Sequence, residues 1–139
     1  METQRRKGAK IVKTHEDELS NAILGAAIEV HRVLGGPGLL ERVYEEALKY
    51  ELELRGLEVQ GRVPVPILYK GRRLASDLQL DLLVEKRVVV ECKAVTRFHP
   101  IFRAQALTYL RLLDLRLALV LNFGAVLLKD GIHRVVWRL

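Results

Sequence analysis

Three charged side chains stand where the sequence is otherwise apolar. Asp81 interrupts LeuGlnLeuAspLeuLeuVal, residues 78–84, and Glu91 and Lys93 lie within ValValValGluCysLysAlaVal, residues 88–95. Side chains alternate along a strand, so Val89, Glu91 and Lys93 share one face and Val88, Val90, Cys92 and Ala94 the other. Burying the two charges is costly unless they are paired or bind something. The bland reading is a solvated Glu–Lys pair on a half-exposed strand. Asp81 weighs against it. It precedes Glu91 by ten residues, across an expected hairpin, and the turn decides whether the carboxylates meet. A two-residue loop at Glu85–Lys86 sets Asp81 opposite Val90, whereas a three-residue loop, Glu85 to Arg87, sets it opposite Glu91. GluLys is a poor type I′ pair, which favours the longer loop or a bulge. Hard divalent cations take oxygen ligands, and Mg²⁺ is held by one or two carboxylates plus waters. Asp81 and Glu91, joined by the backbone carbonyl of Cys92, make such a set for Mg²⁺ or Mn²⁺. An ion held there polarises a phosphoryl oxygen and acidifies a bound water. Lys93 would place positive charge where negative charge builds.

The flanking elements must bring these residues together. Thr14 can cap a helix whose first turn carries Glu16, Asp17 and Glu18. Leu19, Ala22, Ile23, Ala26, Ala27, Val30 and Leu34 then recur with a helical period, and GlyGlyProGly, 35–38, stops it. A second helix is predicted from about Leu39 to Arg55, with Leu40, Val43, Tyr44, Ala47, Leu48 and Leu52 as its apolar stripe and Gly56 as its end. ValProValProIleLeuTyr, 63–69, reads as an edge strand because of its two prolines, and LysGlyArgArg, 70–73, as a turn. Residues 78–84 and 87–95 read as a hairpin pair. Pro100 opens a third helix to about Leu113. The apolar run 116–123 suits a strand buried on both faces. Asp130-Gly131 predicts a tight turn between LeuLeuLys and IleHisArgValValTrp, hence a terminal hairpin. The order is that of a mixed sheet with helices packed on it.

A length of 139 residues, half of them hydrophobic, fits one domain with a core that needs no disulfide. Cys92 is the only cysteine; it excludes an internal disulfide and a cysteine-based zinc site, and it falls on the core face. No run of 18 apolar residues predicts a membrane span. METQRRKGAK is not a secretory signal, so a cytoplasmic, soluble protein is the expectation. A net charge of +6 and a pI near 9.7 favour a polyanionic partner, most simply nucleic acid. Aromatic residues are only 6% of the chain, which argues against extensive base stacking. Arg72, Arg73, Arg97, Arg103, Arg111 and Arg116 are scattered over turns and helix surface; most read as solvated charge, some as phosphate contacts. There is no P-loop, no GxGxxG, and no triad context for Ser76 or Thr108.

Asp81 followed by Glu91-Cys92-Lys93 resembles the PD-(D/E)XK motif of a nuclease superfamily that includes restriction enzymes, repair exonucleases and Holliday-junction resolvases. Leu80 stands where that motif has its proline. Gln105 and Tyr109, four apart on one helix face, resemble the QxxxY motif of the RecB-like branch. Gly38, Glu41 and Tyr44 read as GxxExxY. With ValHis at 30–31, AlaGlnAlaLeuThrTyrLeu at 104–110 and LeuAsnPheGly at 121–124, they closely resemble the small GxxExxY family over about residues 14–136. The resemblance implies an α/β, restriction-endonuclease-like mixed β-sheet flanked by helices. The order is α-α-β-β-β-α-β plus a C-terminal β-hairpin. One nuclease-like domain would span 14–139 behind a flexible basic tail, 1–13. It further implies that Asp81, Glu91 and Lys93 are catalytic and that Gln105 and Tyr109 hold the substrate. Glu41 would join Asp81, Glu91 and the Cys92 carbonyl around Mg²⁺ or Mn²⁺. Glu45, one turn further on, is the rival of Glu41, and His31 is a further candidate. The implied reaction is phosphodiester hydrolysis, on DNA rather than RNA. Two departures stand out: LeuGlyGlyPro, 34–37, has one glycine more than the usual turn, and Phe102 replaces a common histidine. The alternative is a catalytically silent nucleic-acid-binding or protein-interaction module on the same fold; three charges kept in apolar strands argue against it. A single small domain grips a duplex poorly, which leaves room for a homodimer or larger assembly.

Overall fold

The computed structural model describes residues 15–139; the basic tail expected over 1–13 and the Thr14 cap lie outside them. In chain order the elements are α1 (His15–Val33), α2 (Glu41–Leu54), β1 (Val59–Val65), β2 (Leu68–Tyr69), β3 (Arg72–Arg73), β4 (Leu78–Val84), β5 (Val88–Lys93), α3 (Ile101–Leu113), β6 (Leu117–Asn122) and β7 (Ile132–Val136). Five strands form one sheet in the order β1-β4-β5-β6-β7, and β2 with β3 makes a separate ribbon. Only β5 and β6 run parallel, joined through α3; the other neighbours are antiparallel. The chain is therefore a mixed sheet flanked by helices, as the sequence predicts.

Two apolar layers sandwich the sheet. Ile23, Ala26, Ala27 and Val30 of α1 and Tyr44, Leu48 and Leu52 of α2 pack on Val88, Val90, Leu119 and Leu121. Ala106, Tyr109 and Leu110 of α3 pack on the other face, against Val89, Ala118 and Val120. Every residue of β6 is buried, as its uninterrupted apolar run requires when both faces are covered. β1, with Pro64, takes an edge, where a missing ladder donor costs nothing. No helix among the described residues is long and apolar enough to cross a membrane.

The extra glycine before α2 is absorbed by the turn. Gly35, Gly36 and Gly38 all have positive φ. The buried Tyr44 hydroxyl donates to the Gly36 carbonyl at 2.7 Å and accepts the Leu39 N–H at 3.2 Å. The tyrosine of GxxExxY thus ties down the turn that delivers Glu41 to the head of α2.

Four local expectations need correction. The edge strand expected over 63–69 is split: β1 is Val59–Val65, and Leu68–Tyr69 belong to the separate ribbon. Asp130-Gly131 does not close a hairpin with residues 127–129. Leu128–Gly131 form one 3-10 turn, and β7 pairs along β6 instead, from Leu117 opposite Val136 to Leu121 opposite Ile132. A full partner strand in the core outcompetes a three-residue one. The segment 70–73 is not all turn: Lys70 and Gly71, with φ of 51° and 82°, make the turn, and Arg72–Arg73 are strand. Between β4 and β5, Val84 pairs with Val88, the longer-loop register. Yet Glu85 and Lys86 still adopt φ of 52° and 55°, with the Arg87 N–H donating to the Val84 carbonyl at 2.9 Å. The type I′ backbone is kept, with Arg87 as an added residue. Contacts outside the hairpin support it, since Glu85 bonds Glu58 through both its N–H and its carboxylate.

Candidate active site

The β4–β5 ladder ends at Leu82 opposite Val90. One step on, where Asp81 faces Glu91, side chains replace the backbone pairing. The Glu91 carboxylate accepts the Asp81 N–H at 2.7 Å, and the Asp81 carboxylate accepts the Cys92 N–H at 2.8 Å. The β1–β4 ladder is interrupted at the same level: Gly61 pairs with Leu82 and Val63 with Leu80, but Arg62 and Asp81 do not pair, and Arg62 has φ of 54°. The alternation slips there too. Leu82 and Val84 pack under α1 and α2, whereas Leu80 and Val65 pack under α3. Asp81 thus sits where β4 leaves β5 and skips one pair with β1, and its carboxylate lies in the gap left between β4 and β5.

Burial and mutual repulsion mark the pair. Glu91 is 7% exposed. Burial first, then the Asp81 charge, pushes its carboxyl up to about 8. Asp81 is raised as well, by burial and then by the Glu41 charge, against the pull of the Cys92 N–H. Lys93 follows on β5, and its charge favours the ionised form of both carboxylates. Its ammonium lies 4.6 Å from the centre of the Phe102 ring. Phe102 meets Phe98 edge-on at 5.3 Å, and Phe98 stacks on His133 of β7 at 3.6 Å. Phe102 thus offers an aromatic face on which the Lys93 ammonium rests.

A family model for the PD-(D/E)XK nuclease superfamily matches residues 17–135. The chain belongs to that superfamily. No curated protein and no solved structure matches it.

Within this PD-(D/E)XK chain the donors suit a hard cation. One oxygen of each carboxylate, Asp81 Oδ1 and Glu91 Oε1, has no hydrogen bond among the described residues. The Cys92 carbonyl lies on the same edge of β5 as its N–H, toward the gap. The buried Glu91 carboxylate and the half-buried Asp81 carboxylate repel each other, an arrangement a dication relieves. No group of three or more His, Cys, Asp or Glu side chains among the described residues is gathered as a ready cage, so further ligands would be backbone, water or a moved side chain. Glu41, exposed at the head of α2, acts electrostatically on both Asp81 and Glu91. Glu45 is buried and already engaged: Arg62 Nε lies 2.9 Å from its Oε2. Burial, then the Asp81 charge, still raises its carboxyl.

The remaining sequence candidates fall elsewhere. The Tyr109 hydroxyl donates to the Gln79 carbonyl at 3.0 Å, and burial followed by the Glu91 and Asp81 charges pushes it up to about 12. Gln105, on the same face of α3, is exposed. His31 is not joined to the carboxylates by any contact; its Nε2 lies 3.0 Å from the Ala125 carbonyl, and it lines a cavity of about 620 Å³ with Ile28, Arg32 and Leu128. Burial pushes the Cys92 thiol well above its usual range, which leaves it a core group.

Two contributors escaped the sequence reading. Arg62 was hidden in an edge strand; a charged residue beside Gly61 was its only trace. Asn122, buried at the end of β6, accepts the Val95 and Gly124 N–H groups and donates to the Val95 carbonyl, each at 3.0 Å. It clamps the chain leaving β5 just beyond Lys93. LeuAsnPheGly marked the position but not this role.

Proposed function

We propose that this chain is a divalent-metal-dependent nuclease that hydrolyses phosphodiester bonds of nucleic acid, with DNA as its substrate. The observation that carries the reading is the reciprocal bonding of Asp81 and Glu91 across the parted end of β4 and β5, with Lys93 beside them. Asp81, Glu91 and the Cys92 carbonyl would hold Mg²⁺ or Mn²⁺, with Glu41 completing the set and Glu45 held back by Arg62. The bound ion supplies Lewis acidity to a phosphoryl oxygen and to a water. Glu91 would hold the ion as a carboxylate, so metal binding would strengthen as pH rises. Lys93, steadied on Phe102, sets a positive charge beside the phosphate as negative charge grows on it. Tyr109 holds β4 in register two residues before Asp81, and Gln105 offers an exposed amide to the substrate. The water oxygen bonds to phosphorus and its proton passes to solvent, while the bond to the leaving sugar oxygen breaks and that oxygen takes a proton from solvent, giving a phosphomonoester end and a sugar hydroxyl. Gly38, Glu41 and Tyr44 support placing the chain with the GxxExxY group.

The test is cleavage of labelled single-stranded, duplex and branched DNA, and of RNA, in Mg²⁺ or Mn²⁺, with EDTA and Lys93→Ala in parallel. Cleavage lost in both controls supports the reading and ranks the substrates. Salt-sensitive binding with no cleavage of any substrate shifts it to a binding module.

A further inference from the structure

The connection between β1 and β4 leaves the sheet at the carboxylate end. β1 ends at Val65, paired with Leu78, and Asp81 is three residues further along β4, about 10 Å at strand rise. In between the chain folds a tight ribbon. Leu68 pairs with Arg73 and Tyr69 with Arg72, and the Leu74 N–H donates to the Ile67 carbonyl at 2.9 Å. The turn is Lys70–Gly71, both at positive φ, as a two-residue hairpin of type I′ needs. Such a ribbon holds its side chains in fixed cross-strand pairs.

The two faces of the ribbon differ. On one, Arg73 is engaged by Asp77 at 3.1 Å. On the other, Tyr69 and Arg72 stand directly opposite each other. Tyr69 is 61% exposed, and Lys70 lies 5.5 Å from its ring centre. Arg72 is exposed and makes no ion pair or hydrogen bond among the described residues. An exposed aromatic ring with an ammonium over one face, next to an uncommitted guanidinium at the reacting end of the sheet, is matched by a base stacked on the other face and by its phosphates. A duplex offers no free base face away from its ends, so the matching partner is an unpaired strand.

The geometry points to the β2–β3 ribbon as a docking arm for single-stranded nucleic acid. Tyr69 stacks on an unpaired base, and Arg72 with Lys70 grips the adjoining phosphates. The strand then runs along β4 toward Asp81 and Glu91. The inference rests on the reading of the chain as a nucleic-acid enzyme and deepens it by naming an unpaired strand as the substrate.

Binding of a labelled single-stranded oligonucleotide and of a blunt duplex to the full chain is measured by fluorescence anisotropy in EDTA, so that cleavage plays no part. Tyr69→Ala and Arg72→Ala are each expected to weaken single-strand binding about tenfold, with a smaller effect on duplex. Tyr69→Phe, which keeps the ring, and Arg87→Ala, at the β4–β5 turn where Arg87 pairs with Glu16, bind like the wild type. Arg72→Ala also makes the log–log salt slope about 0.7 shallower. Unchanged single-strand binding by Tyr69→Ala, an equal loss on duplex, or no single-strand binding by the wild type overturns the proposal. Cleavage in Mn²⁺ separates the two readings. A wild type that cleaves, with Tyr69→Ala binding unpaired strands normally, removes the arm and keeps the nuclease. A wild type that never cleaves, with the expected binding losses, keeps the arm and removes the nuclease.

Discussion

The hydroxyl of Tyr109 on α3 donates to the backbone carbonyl of Gln79 on β4 at 3.0 Å, so a helix on one face of the sheet holds the strand that carries Asp81. Gln79 is two residues from Asp81, at the end where β4 has lost its pairing with β5. On the proposed reading, that hydroxyl positions Asp81 from behind.

Tyr109→Phe keeps the buried ring and removes only that bond. The expected cost is about 1 kcal/mol of stability, read by urea denaturation. Turnover is expected to fall several-fold while binding of nucleic acid in EDTA is unchanged, because β4 is less well held and no substrate contact is lost. A binding loss as large as the turnover loss would instead place the hydroxyl on the substrate.

Glu91 makes the metal-free protein pH-sensitive. Its carboxyl is pushed up to about 8 in the folded chain from 4.5. Between those values the folded state binds more protons than the unfolded one, so this group's contribution to stability falls as pH rises. Glu91→Gln keeps an oxygen for the Asp81 N–H and removes the charge. In EDTA the variant is expected to melt several degrees above wild type at pH 8, corresponding to about 2 kcal/mol, with the gap closing near pH 5. A gap that grows toward pH 5 contradicts the assignment. Mn²⁺ is expected to raise the melting temperature of wild type at pH 8, and that of Glu91→Gln far less.

On the proposed reading, Lys93 and Phe102 act together. Lys93→Ala is expected to lower cleavage at least a hundredfold, the scale for removing a charge aimed at the transition state, with little change in melting temperature. Phe102→Ala removes the ring 4.6 Å from the ammonium and is expected to lose about tenfold, with Phe102→Tyr restoring most of it. Equal activity of Phe102→Ala and wild type would show that the ring does not place the ammonium.

Gly124 leaves no room for a side chain. A Cβ there would run into the carbonyl oxygen of Val95, which Asn122 also binds. Gly124→Ala is expected to cost about 3 kcal/mol, measured by thermal or urea unfolding, because the obstacle is backbone. Gly61→Ala is the contrast, since its new methyl meets the end of the Lys49 side chain at 3.2 Å, which can swing away.

The sequence by itself determined the elements and their faces. Apolar spacing in 19–34 and 40–52, the uninterrupted run 116–123 and the prolines in 63–69 are local signals, and local backbone and burial preferences answer to them. It also put Glu91 and Lys93 on one face by strand alternation and favoured, through the turn, the register that sets Asp81 opposite Glu91, which the structure adopts. The terminal segment shows where such reasoning stops. Asp130-Gly131 is a sound local turn signal, but the unpaired edge of β6 was available to residues 132–136, and local propensity yields to a longer ladder in a buried sheet. Only the tertiary structure decided that Tyr109 faces the Gln79 carbonyl, that His31 bonds Ala125 away from the carboxylates, and that Arg62 meets Glu45. Those partners are 17 to 94 residues apart. The packing of three helices on a twisted sheet sets such distances, and no spacing along the chain records them.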